Sequence, residues 1–227
     1  MHIILLIVIG IAVLLGPGLW VKRVMERYSR PADRYPMTGA RLARDLLDSA
    51  GLERVRTEKT EQGDHYDPIE KVVRLSPDNH DGRSLTAITV AAHEVGHALQ
   101  DAGGFGPLRW RTQLVRWISP IERVGAGLMM ASPVMVAVTR APVAGLMMFL
   151  GGLLTLASGI LVHATTLPTE FDASFRRALP LLAERRVLRD GDERHARKIL
   201  RAAAMTYVSA SLMSLLNVAR WWAILRR

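Results

Sequence analysis

Two long apolar runs constrain the fold of this chain more than any other feature. The first extends from His2 to Val21, and the second from Val124 to Ala164 with a single charge at Arg140. A helix that crosses the bilayer core needs about 20 mostly apolar residues, and both runs meet that length. Because 49% of the residues are hydrophobic while 22% are charged, the rest of the chain must be strongly polar. We therefore predict an integral membrane protein with polar segments between its membrane helices.

The second run predicts a helical hairpin. The Thr-Arg-Ala-Pro sequence at 139–142 favours a tight turn, so one helix should end near Thr139 and the next should extend from Ala141 to Ala164. The final helix carries Asn217 and Arg220, so it either spans the bilayer or is a packed or interfacial helix. The predicted organisation is a transmembrane anchor over 1–21, a cytoplasmic segment over 22–120, a transmembrane hairpin over 121–164, a cytoplasmic helical region over 165–201 and a C-terminal membrane helix over 202–227.

Positive charge predicts the orientation of these segments. The net charge is +9, and the basic residues are concentrated in 22–123 and 176–201, whereas the hairpin tip has only Arg140. Basic flanks mark the cytoplasmic side, so we expect both polar segments to lie on the cytoplasmic face of the membrane. A spanning C-terminal helix would place Arg220 and the two terminal arginines outside, against this rule.

A stretch rich in arginine and tryptophan, 107–118, precedes the predicted hairpin. We expect it to be an interfacial helix on anionic lipid. Stacking on single-stranded nucleic acid is the alternative, but the mouth of a membrane hairpin is a poor place for it. The predicted partners are therefore the lipid bilayer and a polypeptide, and no nucleic acid.

The segment 93–97, which reads His-Glu-Val-Gly-His, carries the clearest chemical signal. Residues four apart on a helix lie on one face, so His93 and His97 can bind one Zn²⁺ while Glu94 reaches its open side. Zinc lowers the pKa of a bound water toward about 7, and Glu94 can accept that water's proton. The chain contains no cysteine, which fits a reducing compartment and excludes thiol catalysis and cysteine zinc ligands.

The surrounding sequence predicts a zinc-binding helix over 84–101. Ser84 is a suitable N-cap, and Gly103-Gly104 favours a stop. Gly96 costs helix stability, so we expect it to mark close packing of another element.

A third ligand must come from elsewhere in the chain. Besides the histidines at 2, 65, 80, 163 and 195, the segment 167–174, Leu-Pro-Thr-Glu-Phe-Asp-Ala-Ser, is the stronger candidate because it directly follows the apolar run. Pro168 and Thr169 predict the start of a helix there. Glu170 could bind metal or only complement the helix dipole. Asp172 could cap the helix or hydrogen-bond to a ligating histidine from behind.

Segments 93–100 and 167–174 together resemble a bacterial membrane family of neutral zinc metallopeptidases, the YugP-like proteins. The resemblance extends to 66–68, 73–76 and 203–208 and covers most of the chain. More distantly, the chain is similar to membrane metalloproteases of the HtpX and CAAX prenyl endopeptidase type. In those proteins the zinc helix is followed by a membrane hairpin and then by a helix with the sequence Glu-x-x-Ala-Asp. The glutamate of that helix is the third zinc ligand in those proteins, and the residue at the corresponding position of this chain is Glu170. Ser174 stands where their aspartate would be.

The resemblance and the motif predict a mainly α, integral membrane helical protein with a gluzincin-type zinc helix. It would hydrolyse peptide bonds of membrane-associated or membrane-proximal polypeptides by zinc-activated water, with His93, His97 and Glu170 as zinc ligands and Glu94 as general base and then acid. Tyr207, inside the resemblance, is the candidate donor to the oxyanion, or else an interfacial anchor. The alternative function is a membrane scaffold or chaperone-like factor with a structural metal site, in which Glu94 would have no use.

Between the anchor and the zinc helix we expect two further elements. Residues 38–50 predict an amphipathic helix that ends at Gly51. Segments 55–58 and 71–75 alternate around an Asp67-Pro68 turn and predict a small β-hairpin. Its edge could pair with an extended substrate, or the hairpin could serve packing alone.

Overall fold

A computed structural model of the protein describes residues 2–205, with the backbone alone for 2–14, 156, 157, 159–161, 163 and 164. The predicted Tyr207, and all but the first residues of the predicted C-terminal helix over 202–227, lie outside the described residues. The elements in chain order are α1 (His2–Tyr28), α2 (Gly39–Ser49), β1 (Arg56–Lys59), β2 (His65–Asp67), β3 (Val72–Leu75), α3 (Pro77–His80), α4 (Leu85–Ala102), α5 (Gly106–Thr139), α6 (Pro142–Phe171), a π-helical segment (Asp172–Ala178), α7 (Leu179–Glu184) and α8, helical over the described residues 193–205. The prediction of a mainly α fold is confirmed.

The helices α5 and α6 form an antiparallel hairpin, with its turn at the predicted position. Arg140 adopts a left-handed conformation at the end of α5, and Pro142 begins α6. The two helices approach closely at glycines: a Cβ on Gly125 would overlap Thr155, and one on Gly152 would overlap Met129. Small residues at such contacts are typical of helices that associate in membranes.

Among the described residues, one helix, α5, is long and apolar enough to cross a membrane. Only 17% of its most apolar stretch is buried, so α5 is not an ordinary core helix of a soluble protein. Its outward face carries apolar side chains that are mostly exposed, including Met130, Val134 and Val138. A surface of this kind supports membrane association.

Two predicted helix boundaries are wrong. The expected interfacial helix over 107–118 and the first helix of the hairpin form one helix, α5, because no stop signal follows 118 and Pro120 is accommodated inside it. Pro168 does not begin a new helix either, since it lies inside α6. The hydroxyls of Thr165, Thr166 and Thr169 donate to carbonyls of the preceding turn in this region, and such bonds help a helix continue through proline.

The small β element is a three-stranded sheet rather than the predicted two-stranded hairpin. The strand order is β1-β3-β2, and β1 and β3, the two predicted strands, are parallel. The hairpin consists of β2 and β3, with Tyr66 opposite Val73. The prediction missed β2 because its three residues are too few to show alternation. Since parallel neighbours require the chain to return between them, the short β2 provides that return.

The polar part of the chain packs around α4. The amphipathic helix α2 begins after Thr38 as predicted, and its apolar face and the sheet cover one side of α4. The π-helical segment and α7 cover another. Fully buried side chains from α2, β3, α4, α7 and α8 form one shared core, among them Leu47, Leu75, Ile88, Leu182 and Ile199. This packing fixes α4 against the segment that follows α6.

Candidate metal centre

The helix α4 presents both histidines of the motif on one face. It begins and ends as predicted: the Ser84 side chain accepts a hydrogen bond from the Ala87 backbone N–H at 3.1 Å, and Gly103 follows the last turn. The rings of His93 and His97 lie edge to face with centroids 4.7 Å apart. Both side chains are 5% exposed, so they sit inside the molecule at the edge of a cavity.

The end of α6 brings Glu170 to the two histidines. Its Oε2 lies 3.1 Å from His93 Nε2 and 3.4 Å from His97 Nε2, and one ligand atom from each of the three residues lies within 4.8 Å of the others. Ligand atoms at about 2.0–2.1 Å from a tetrahedral zinc ion lie about 3.3 Å from one another. The observed separations therefore fit a zinc ion at the centre of the group.

Buried polar atoms at Glu170 support the same conclusion. The residue is 1% exposed, and its Oε1 has no hydrogen-bond partner among the residues that the structure describes. Arg111 Nη1 lies 3.7 Å from that atom. A buried carboxylate is stable only when it is paired or binds a metal. The arrangement of this carboxylate is therefore suited to a cation between it and the imidazoles.

Gln100 fixes the orientation of His97 from behind. Its Nε2 donates to the Thr169 carbonyl at 2.7 Å and to Asp172 Oδ2 at 2.9 Å. Because both of these partners are acceptors, the amide oxygen must face His97, whose Nδ1 lies 2.9 Å from it. Nδ1 therefore carries a hydrogen, and Nε2 is the nitrogen left for metal.

Ser174 takes the corresponding position behind His93, with its Oγ 3.1 Å from Nδ1. Asp172 contacts neither histidine directly; it accepts from Gln100 and from Arg177 Nε at 2.8 Å. Arg177 and Asp172 are five residues apart, a spacing that the π-helical segment brings to one face. The predicted hydrogen bond between Asp172 and a histidine is therefore wrong: Asp172 accepts instead from Gln100, whose amide oxygen faces His97.

Gly96 makes the contact between the two halves of the site possible. A Cβ at this position would lie 2.6 Å from the carbonyl oxygen of Ala173, closer than real contacts allow. The prediction that Gly96 marks close packing of another element is confirmed. The element is the π-helical segment, and its approach brings Ser174 within reach of His93.

The pKa values of Glu94 and Glu170 are shifted in opposite directions. Burial raises the pKa of Glu94 to about 7, against an opposing effect of His93. Burial acts in the same direction on Glu170, but the imidazoles of His97 and His93 outweigh it and hold the pKa of Glu170 well below its usual range. Glu170 is thus an anion suited to binding a cation, whereas Glu94 is poised to exchange a proton near neutral pH.

A cavity of about 170 Å³ opens in front of this group. Its wall includes Glu94, Arg111 from α5 and Tyr66 from β2. The Tyr66 hydroxyl donates to Asp101 Oδ2 at 2.7 Å, and Lys71 also pairs with Asp101, so the β2–β3 hairpin is attached to the C-terminal end of α4. The volume accommodates water and a peptide group beside the histidines.

The other histidines with described side chains lie outside the group. His65 lines the cavity but is hydrogen-bonded to the Gly63 carbonyl, and His80 pairs with Asp81. His195 lies beside Asp192.

Sequence reasoning missed two contributors to the site. Gln100 could have been found, because it lies three residues after His97 and therefore on the same face of α4. Arg111 could not, because its place at the cavity depends on how α5 packs.

The chain belongs to the family described as "Putative neutral zinc metallopeptidase", which matches residues 3–226. It is similar to the protein named "Putative membrane protease YugP" from Bacillus subtilis (strain 168), with 36% identity over 214 residues and 91% of each chain covered. No solved structure matches the chain. The family resemblance inferred from the motifs is confirmed, and zinc is the metal that this family and the donor set share.

Proposed function

We propose that the protein is a zinc metalloendopeptidase that hydrolyses peptide bonds of membrane-associated or membrane-proximal polypeptides. One observation carries the proposal: the two imidazole Nε2 atoms and the Glu170 carboxylate converge at zinc-ligand spacing, with Glu94 in the wall of the same cavity. His93, His97 and Glu170 would hold the metal. Three protein ligands and an adjoining cavity are typical of a catalytic zinc site, whereas structural sites are closed by four ligands.

The residues of the cavity divide the reaction between them. Zinc bound here supplies Lewis-acid chemistry, which polarises a carbonyl and makes water a nucleophile at neutral pH. Glu94 accepts the proton of the attacking water and delivers it to the leaving amine nitrogen. Gln100 and Ser174 hold the imidazoles in place while the bond is broken.

An extended substrate could bind along β2. This strand pairs with β3 on one side, and among the described residues no strand covers its other side. Two of its residues, His65 and Tyr66, line the cavity. Pairing with the backbone of a substrate would bind many sequences in one geometry, as a peptidase requires.

Tyr207 remains our proposed donor to the oxyanion that forms in the reaction, and it lies outside the described residues. Ala203, four residues earlier in the sequence, lines the cavity. This closeness in sequence supports the proposal. A donor of this kind typically contributes about 10²–10³ in kcat.

The proposed membrane arrangement has several crossings, with the site on the cytoplasmic face. It is supported by the apolar surface of the α5–α6 hairpin, by the positive charge of the polar segments and by the description of the Bacillus subtilis relative as a membrane protease. The hairpin returns the chain to the side from which it entered, so α4 and Glu170 can meet on one face.

Substitution of the general base tests the proposal. In detergent-purified protein, Glu94→Gln should leave zinc content at the wild-type level and lower kcat for a peptide substrate by about 10²–10⁴, because the water loses its proton acceptor. Glu184→Gln, an exposed glutamate on α7, is the matched control and should keep full activity. A Glu94→Gln protein with wild-type turnover would refute the catalytic role of this residue, and wild-type protein without peptidase activity would favour a structural metal site.

A further inference from the structure

A second cavity of about 320 Å³ opens directly beside the metal pocket. Three residues, Tyr66, His97 and Arg111, line both cavities. The rest of the wall comes from the turn between β2 and β3 and from the first turns of α5. A group bound in the second cavity would therefore be a direct neighbour of a group bound at the metal.

Apolar side chains form most of this second wall. Leu108 is buried at its base, while Ile69 is 74% and Val115 40% exposed at its rim. The hydroxyl of Thr112 donates to the Leu108 carbonyl at 2.9 Å, so it needs no partner in the cavity. Exposed apolar groups around a concave surface next to a reactive centre are typical of a ligand site.

The charges of the wall are all positive. Arg111 and Arg116 line the cavity, and no aspartate or glutamate is among its described lining residues. A lysine or arginine side chain entering it would lose hydration and meet charges of its own sign. The wall therefore discriminates against basic side chains and favours apolar ones.

We propose that this cavity is the specificity subsite for a large apolar side chain, such as Leu, Met or Phe, next to the cleaved bond. The inference rests on the proposed peptidase function and deepens it. Successive residues of an extended chain rise about 3.3 Å, so a peptide whose carbonyl lies at the metal places a flanking side chain at the shared wall. An apolar cavity of about 150 Å³ binds benzene, so the volume here holds an aromatic side chain.

Digestion of a peptide library by the zinc-loaded protein, with the cut sites determined by mass spectrometry, tests the subsite. Wild-type protein should cut with at least about 10-fold enrichment of Leu, Met or Phe over Gly at one position flanking the bond, and with depletion of Lys and Arg there. Thr112→Trp fills the cavity and should shift this preference to Gly and Ala. Val115→Phe fills it from the rim and should produce the same shift if the first variant does not fold.

Gln113→Trp is the matched control, because Gln113 is the exposed neighbour of Thr112 on α5 and does not line the cavity. It should keep the wild-type preference. Cleavage without an apolar preference, or with one that both filling variants leave unchanged, overturns the subsite but leaves the peptidase function intact. Loss of a co-purifying lipid from the filling variants, with cut sites unchanged, would assign the cavity to an acyl chain and also overturn it. Absence of any cleavage by wild-type protein overturns both proposals.

Discussion

The two histidines of the site differ in what stands behind them. Gln100, fully buried, contacts His97 and is itself held by Thr169 and Asp172. Ser174 alone stands behind His93. An amide with two acceptors on its nitrogen can present only its oxygen to the imidazole, whereas a hydroxyl can donate or accept by rotating.

This difference divides the site into a fixed half and an adjustable half. Gln100 holds Nδ1 of His97 in a donor role, so Nε2 is the nitrogen left for metal. The Ser174 hydroxyl can donate to or accept from Nδ1 of His93, so it imposes no tautomer on that ring. Of the two proposed zinc ligands, one therefore has an imposed orientation and the other does not.

Removing the Glu170 carboxylate, which lies between His93 and His97, should have the largest effect on zinc binding. Glu170→Ala deletes one of three proposed ligands and leaves two buried imidazoles without their anion. We expect zinc content, measured by atomic emission after dialysis, to fall from near one per chain to near zero. Glu184→Ala, on the surface of α7, should keep full zinc content. Wild-type occupancy in Glu170→Ala would show that the third ligand is another residue.

Gln100→Leu should break the fixed half. It deprives His97 of its acceptor and leaves the Thr169 carbonyl without this donor. Loss of such a partner typically weakens metal binding by about 10–100-fold, and we expect a value near the upper limit because Gln100 is fully buried. Competition with a chelator of known zinc affinity measures the change. An affinity within about twofold of wild type would show that His97 needs no fixed orientation.

Gly96→Ala should separate the two halves without removing any polar group. The added methyl would meet the Ala173 carbonyl and push the π-helical segment away from α4. We expect the free energy of unfolding to fall by about 2 kcal/mol, together with weaker zinc binding. Gly127→Ala on α5, where a Cβ meets nothing within 4 Å, is the matched control and should not destabilise the protein. Equal stabilities would mean that α4 and the segment tolerate greater separation.

Ser174→Ala should have the smallest effect, because it breaks only the adjustable half. We expect zinc affinity to fall by about 10-fold, the lower limit for loss of such a partner, in the chelator competition used for Gln100→Leu. Ser174→Thr, which keeps a hydroxyl, should restore most of the loss. If Ser174→Ala weakened binding more than Gln100→Leu, the assignment of fixed and adjustable halves would be reversed.

The parts of the site that the sequence could predict depend on local spacing. The helix α4 follows from its apolar stretch, its Ser84 cap and the four-residue spacing of His93 and His97. The turn at 139–142 follows from an equally local signal. By contrast, the position of Glu170 came from resemblance, because nothing in its own segment distinguishes a ligand from a residue that complements a helix dipole.

What the sequence could not predict depends on packing. Pro168 is a common first residue of helices, yet α6 continues through it into the π-helical segment, with threonine side chains bonded to nearby carbonyls. The pairing of β1 with β3 was predicted, but its parallel direction was hidden, since that direction depends on the intervening strand β2. In both places a local preference was overridden by contacts between distant parts of the chain.

Because α6 is continuous, Glu170 lies near the end of one long helix, and a small tilt of that helix displaces it. At 1.5 Å per residue, a helix of 30 residues is about 45 Å long, so a tilt of about 5° about its far end displaces the tip by about 4 Å. That displacement exceeds the 3.1 Å between Glu170 and His93. In the proposed membrane arrangement, bilayer thickness sets the tilt of the hairpin. The lipid surroundings would then decide whether the carboxylate reaches the histidines at all.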